Sequence, residues 1–252
     1  MNCKNCQKTF TIKPEDFGFY EKFGVPAPAM CPLCRAQRRL AFRNERVFYK
    51  RVCDKCKKSV VSMYSPNKPF PVWCNECWFA DDWDATDYAR DLPHRQAGYD
   101  PARSFFDQFS ELWNSVPKVA LIYVRNVNSD YTNITADSKN CYMIVESSNN
   151  EDSIHCYWIQ VCRDCVDTSF SHQCELCYEC DDCYNSSRLL YSKGCHDCLE
   201  SFFLLDCRGC TNCIGCVNLR NQSYHIFNQP VSKEEYKKFL AEARLDTREG
   251  VE

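Results

Sequence analysis

From Ser138 to Leu219 every third residue is small or aliphatic. The 28 positions hold fourteen Cys, seven Ser, Thr168, Asn150 and five Ile or Leu, and none carries a charge. The two phases between them carry acids, bases and rings, among them Arg163, Asp164, Tyr178, Glu179, Asp181, Asp182, Tyr184 and Phe202. A period of three is neither the 3.6 of a helix nor the 2.0 of a flat strand. It predicts a narrow β-solenoid, a parallel β-helix in which one inward side chain is followed by two that face out around a tight corner. The axis then has room only for small groups, and the cysteines are packing atoms before they are chemistry.

The coil length is open to two readings. Ile144, Ile159, Leu189, Leu204 and Leu219 are separated by multiples of 15, whereas several cysteines recur after 33 residues. We expect 15, because it sorts aliphatic columns from thiol columns. A 15-residue coil sets Cys162 and Cys165 beside Cys177 and Cys180, and Cys195 and Cys198 beside Cys210 and Cys213. Adjacent strands about 4.8 Å apart would let such quartets share zinc or an iron–sulfur cluster. The free exchange of Cys with Ser and Leu in these columns favours packed thiols over extra metal.

With 22 cysteines in 252 residues, the chain is a disulfide scaffold or a metal protein. MNCKNCQKTF has no cationic stretch followed by an apolar run, and no segment approaches the roughly 20 apolar residues of a membrane span. A reducing cytoplasm is the expected location, where Cys-x-x-Cys pairs hold metal rather than form disulfides. The net charge of −3 hides a division: residues 1–77 carry 15 Lys/Arg against 6 Asp/Glu, and the acids concentrate in the remainder.

Four pairs occupy the basic part: Cys3/Cys6, Cys31/Cys34, Cys53/Cys56 and Cys74/Cys77. Two close thiolate pairs satisfy a tetrahedral ion and leave no open position, so the expectation is two structural zinc ions. Sequential pairing of the four motifs is preferred to a cross-braced arrangement of the first with the third.

CKNC, DFGFYEKFGVP and CPLCRAQRR together resemble the zinc-ribbon domain found at the start of many uncharacterised bacterial proteins, with Cys3, Cys6, Cys31 and Cys34 in the ligand positions. The whole chain resembles uncharacterised cysteine-rich zinc-ribbon proteins of uncultivated small-genome bacteria. The resemblance implies zinc and supplies no activity.

After Cys34, the segment AQRRLAFRNERVF lacks Gly and Pro and is expected to be helical. On such a helix Arg35, Arg38, Arg39, Arg43 and Arg46 share a face with Phe42, and Lys50 and Arg51 extend the positive run. Guanidinium groups grip phosphate and a ring among them can stack on an unpaired base, so this is the candidate nucleic-acid surface, with RNA favoured over DNA. The competing reading is a solvated basic face with Phe42 in a core.

The expected order is a zinc ribbon with its basic helix (1–50), a second ribbon (51–80), and an acidic, aromatic linker with an amphipathic helix at 101–116 (81–125). The cysteine-cored solenoid (126–228) and a capping helix (229–252) complete it. Phe105, Phe106, Phe109, Leu112, Trp113 and Val116 form one stripe on that linker helix, expected to pack on a core. Ser232 with Glu235 forms a capping box for the last helix. The helices at 101–116 and 233–244 are the expected caps of the solenoid. The five histidines, at 94, 155, 172, 196 and 225, show no metal spacing, and no nucleophile elbow or phosphate loop appears. The fold class is thus mainly β with short helices. The expected function is zinc-dependent nucleic-acid binding, not catalysis, with the solenoid as a protein-binding scaffold. A purely protein–protein scaffold and a thiol-rich metal or redox protein are the alternatives.

Overall fold

The computed structural model describes residues 1–41, 43–90, 99–245 and 247–251. They form two compact units, Met1–Asn44 and Glu45–Glu252.

In the first unit, Cys3 and Cys6 sit on a tight turn in which Cys3 donates its N–H to Lys8, Gln7 donates to Cys3, and Gln7 turns left-handed (φ 60°). Helix α1 (Pro14–Lys22) starts on a proline, which suits a first turn, and ends before Gly24 (φ 61°) as expected. Cys31 is the N-cap residue of α2 (Pro32–Leu40). That helix stops at Leu40, so the longer helix expected through Phe48 does not form. Arg35 and Arg39, four apart, repel one another along it, as Arg39 and Arg43 would beyond it, and Cys34 is its one buried residue.

The second unit opens on a hairpin of β1 (Tyr49–Val52) and β2 (Ser59–Ser62), antiparallel with Tyr49 opposite Ser62. The turn between them repeats the first unit's geometry: Cys53 donates to Lys58, Lys57 donates to Cys53, and Lys57 has φ 64°. Strand β3 (Val72–Trp73) leads to the short α3 (Asn75–Trp78), with Cys74 as its N-cap. Two more helices follow, α4 (Asp87–Arg90) and α5 (Phe105–Ser115). β3 pairs in parallel with β4 (Lys118–Val119), and Met63 donates its N–H to Ala120. The ribbon therefore covers the N-terminal end of the solenoid, over a cluster of Phe70, Val72 and Ala120.

The expected N-terminal cap, α5, does not do this. It is anchored by buried Gln108, which accepts from the Asp100 N–H and donates to the Asp100 carbonyl, both at 2.9 Å. Phe105, Phe106, Phe109 and Trp113 remain exposed, so the stripe does not pack on a core. At the other end, β5 (Ser223–Ile226) pairs antiparallel with β6 (Gln229–Pro230), and α6 (Lys233–Ala243) closes the end as expected. Tyr236 of α6 is 2% exposed and lies edge-on to Tyr224, while the Ser232/Glu235 capping box is present.

Between these caps the solenoid has the expected period of three, but its coil is 12 residues. Parallel pairs run Val127 to Lys139, Lys139 to Glu151, Glu151 to Arg163, and so on to Thr211 with Ser223. Each coil is four tripeptides, hence four sides. In each tripeptide the inward residue is followed by a ladder residue and then by one with φ near +50°, such as Asn140, Asp152, Asp164 and Asn212. Asn and Asp tolerate this conformation best after Gly. At Gly215 (φ 63°) a Cβ would lie 2.6 Å from the exposed Phe227 ring, which would have to shift to admit it.

The inward residues stack in four columns, and each level has at most one aliphatic: Ile144 with Ser138, Cys141 and Ser147; then Ile159; later Leu189, Leu204 and Leu219. Every 15 residues the position moves one corner onward, with Cys174 on the step between Ile159 and Leu189. That spiral is the origin of the 15-residue spacing: one coil of 12 plus one side of three. Two bulky side chains stacked in one column would crowd a bore only four side chains wide, and the staircase avoids it.

Candidate metal centres and the surfaces around them

The sulfur atoms of Cys3, Cys6, Cys31 and Cys34 all lie within 4.8 Å of one another, and so do those of Cys53, Cys56, Cys74 and Cys77. The pairing is sequential. Each centre joins a Cys-x-x-Cys turn to a Cys-x-x-Cys helix start, and each could hold a metal ion. Cys6 and Cys31 sulfurs are 3.8 Å apart, and those of Cys56 and Cys74 are 3.7 Å apart. A regular tetrahedron with Zn–S of about 2.3 Å has an edge of about 3.8 Å, so these two pairs have the spacing of such an ion's ligands.

Backbone dipoles support the charge. Cys31 donates its N–H to Cys3 Sγ at 3.3 Å, and Cys74 donates to Cys53 Sγ at the same distance. N–H groups of Cys31 and Cys6 bring the Cys3 thiol down to about 6. Burial opposes ionisation of Cys53, yet the N–H groups of Cys74, Cys56 and Lys55 also bring it to about 6. An ion held by four thiolates would have no open position for substrate.

The fourteen solenoid cysteines are chemically different. All are free, and none is more than 2% exposed. Each donates its thiol proton to the carbonyl two residues earlier, at 3.2 to 3.6 Å, for example Cys165 to Arg163 and Cys183 to Asp181. The inward serines and Thr168 do the same. The same γ-atom also accepts the inward N–H one coil later: Ser153 from Cys165, Ser171 from Cys183, Ser186 from Cys198, and Cys216 from Asn228. Size alone therefore does not explain the composition. Away from the five aliphatic positions the bore favours a side chain that is small and can both donate and accept, which Cys, Ser and Thr share and Ala lacks. Sequence reasoning missed that second requirement, although the absence of Ala from all 28 positions signals it.

With a 12-residue coil, Cys162 and Cys165 stack on Cys174 and Cys177, and Cys198 stacks on Cys210, so the quartets expected from a 15-residue coil do not assemble. Among the described residues only the two N-terminal groups gather three or more ligand atoms. Burial pushes the Cys156 and Cys213 thiols up to about 12, and at Cys195 the neighbouring Cys183 thiol, with burial adding to it, does the same.

The expected basic face is divided. On α2, Arg38 and Arg39 are exposed, and Arg35 is half-buried with its Nε out of reach of any acceptor. Arg43 is exposed beyond the helix end, and Phe42 lies outside the described residues. In the second unit Arg46 lies over the Tyr157 ring at 4.0 Å, Lys50 is exposed, and Arg51 donates to the Ser65 carbonyl at 3.0 Å with its side chain 8% exposed. Arg46 and Arg51 are thus engaged inside their own unit.

The four sides of the solenoid differ in chemistry. One carries the ladder Tyr142, Ile154, Val166, Tyr178, Leu190, Phe202, Ile214 and Ile226. The next mixes Tyr157, Trp158 and Phe170 with the Lys193–Asp181 pair. A third carries Gln160, His172, Tyr184, His196, Arg208 and Arg220, and the fourth holds the ion pairs of Lys139 and Arg163 with Glu151. Among the described residues no helix is long and apolar enough to cross a membrane. His94 lies outside the described residues.

No family model and no curated protein matches this chain. Among solved structures it is similar to a Bacillus cereus protein described as an acetyltransferase, at 12% identity over 48% of this chain and 89% of the other, with a TM-score of 0.16. The acetyltransferase domain of PglB from Neisseria gonorrhoeae shows 11% identity over 45% of this chain and 68% of the other, with a TM-score of 0.12. Likenesses this weak carry no argument about fold or activity.

Proposed function

We propose that this chain is a cytoplasmic zinc protein that acts as a scaffold. Two zinc ions hold its ribbons, and a rigid four-sided solenoid presents a different chemistry on each side. The observation that carries the reading is the pair of four-thiol groups whose sulfur separations match a closed tetrahedral zinc site. Bound zinc would act as a cross-link between turn and helix start. Cys3, Cys6, Cys31 and Cys34 would hold one ion, and Cys53, Cys56, Cys74 and Cys77 the other. Native mass spectrometry of freshly isolated protein tests this by counting metals and co-purifying macromolecules together. Two zinc ions with a protein partner support it, and a folded metal-free chain refutes it.

Nucleic-acid binding, RNA in particular, is the second reading. Arg38 and Arg39 favour it: both are exposed, and among the described residues neither pairs with a carboxylate. Its test is binding of the Arg38→Gln/Arg39→Gln variant to single-stranded RNA at about 50 mM salt, where electrostatic affinity is strong.

A further inference from the structure

One side of the solenoid, from Tyr142 to Ile226, bears an uncharged and mainly apolar residue in every coil. Its C-terminal end already seats a helix. Tyr236 of α6 lies edge-on to Tyr224 at 5.8 Å, with its hydroxyl 3.5 Å from the Glu200 carbonyl, and Phe239 lies edge-on to Phe227 at 6.3 Å. Glu200 and Tyr224 stand at the corners on one edge of this side and Phe227 at a corner on the other, so α6 spans it from rim to rim. Ile214 of the ladder is accordingly only 4% exposed.

Below α6 the side is open: Tyr142 is 44% and Ile154 37% exposed, and Val166, Tyr178 and Leu190 are half-buried. The four steps from Tyr142 to Leu190 span roughly 19 Å at the usual strand spacing, the length of a helix of about 13 residues. What changes between the covered and the open part is the charge of the rims. The seat of α6 is bordered by the Arg188–Glu200 ion pair and by uncharged Asn212, Tyr224 and Phe203. The open stretch is bordered by Asp152 and Asp164 on one edge and by Asp167 and Glu179 on the other, all exposed, with no lysine or arginine at the corners of these levels.

Elsewhere on the solenoid a corner acid is relieved from the adjacent coil: Asp137 by Arg125, Asp197 by Asn185, Glu200 by Arg188. Asp152 accepts from Asn140 in the same way. Asp164 and Asp167 have no ion pair or side-chain hydrogen bond among the described residues. Each instead stands one coil from another acid, Asp164 from Asp152 and Asp167 from Glu179. An apolar stripe between two carboxylate rims complements a helix that is apolar on one face and basic on its flanks. It repels nucleic acid and anionic lipid. It also repels α5 of a second copy, whose sequence FFDQFSELWNS has two acids and no base.

Building on the scaffold reading, on which this rests, we propose that the open stretch from Tyr142 to Leu190 binds a basic amphipathic helix of a partner protein. Apolar residues at helical spacing on that helix pack on Tyr142, Ile154, Val166 and Tyr178, as α6 packs on the same side further along. Its flanking lysines and arginines meet Asp152 and Asp164 on one rim and Asp167 and Glu179 on the other.

Fluorescence anisotropy on the full metal-loaded chain tests it. The probe is a blocked, labelled peptide of Leu, Ala and Lys, roughly 18 residues long so that it can be helical, with its leucines on one face. This peptide binds saturably, its counterpart with Glu for Lys does not bind, and one of the same composition with scattered leucines binds at least about tenfold more weakly. Asp164→Asn/Asp167→Asn weakens binding about tenfold or more and Ile154→Lys abolishes it, whereas Asp182→Asn, on a different rim, leaves it unchanged. The two Asn replacements break no side-chain contact within the chain, and Asn accepts the left-handed backbone at both corners (φ 52° and 51°), so the fold is kept. Absence of binding by the Lys peptide overturns the proposal. So does equal binding of the scattered-leucine peptide, or equal sensitivity to Asp182→Asn, because charge alone would then account for it. Self-association of the chain that Ile154→Lys abolishes overturns it in favour of a second copy. In each of these cases a folded chain with two zinc ions leaves the scaffold reading intact, since three other sides could serve it.

Discussion

The Ser201 hydroxyl accepts the backbone N–H of Cys213, one coil on, at 3.1 Å and donates to the Leu199 carbonyl at 2.8 Å. One small side chain thereby satisfies two backbone groups in a bore that water does not enter. Ser201→Ala should leave the Cys213 N–H orphaned and lower stability by about 1–3 kcal/mol, whereas Ser201→Cys should cost less than about 1 kcal/mol. Urea unfolding of the two variants side by side measures the difference.

The staircase of aliphatics predicts an asymmetry between neighbouring cysteines. Cys174 occupies the step that Ile159 and Leu189 skip, and its column neighbours are Cys162 and Ser186; Cys177 stands directly against Leu189 in its own column. Both thiols give up the same hydrogen bonds on replacement. Cys174→Leu should therefore be the milder change, with Cys177→Leu costing a further 1–3 kcal/mol or so from overpacking. Equal melting temperatures for the two would show that the bore does not discriminate by column.

Loss of the second metal should act on the start of the solenoid, because β3 of the ribbon pairs with β4 immediately before the first coil. Cys56→Ser should reduce two bound zinc ions to one. Hydrogen exchange should rise across residues 118–136 while the coils from residue 150 to 220 stay protected. Uniform loss of protection would mean that the unit unfolds as a whole.

Alkaline pH should loosen the core. A thiol that burial pushes up to about 12, as at Cys156 and Cys213, ionises more readily in the unfolded chain, at its ordinary value near 9. The folded state binds the proton more tightly, so this stability is fully present below about pH 9 and is lost as pH rises toward 12. The urea midpoint should fall between pH 9 and 11 in the wild type, and less steeply when Cys156 and Cys213 are replaced by Ser. Two of the thiols in the four-Cys groups, Cys3 and Cys53, have the opposite sign, while Cys34, Cys74 and Cys77 are raised like the core thiols. With Cys3 and Cys53 held near 6, metal should be retained at pH 7 and released as pH falls below about 6.

The sequence by itself determined the period of three, the small inward residues, the two four-thiol groups with their sequential pairing, and the last helix with its Ser232/Glu235 cap. Each is a local or near-local pattern: ligand spacing, a capping box, or an alternation imposed at every step by a narrow axis. Only the tertiary structure decided the coil length, since a period of three is compatible with any multiple of three. The most visible regularity, Ile144 to Leu219 in steps of 15, records how bulky groups avoid one another between levels rather than how far the chain travels around one. Stacking likewise gave each solenoid thiol a carbonyl to donate to and many an N–H to accept. The fate of the arginines was decided the same way. A helical wheel sets Arg46 beside Arg39, but the helix ends at Leu40 and Arg46 finds the ring of Tyr157, a neighbour 111 residues away in the chain that no local pattern could reveal.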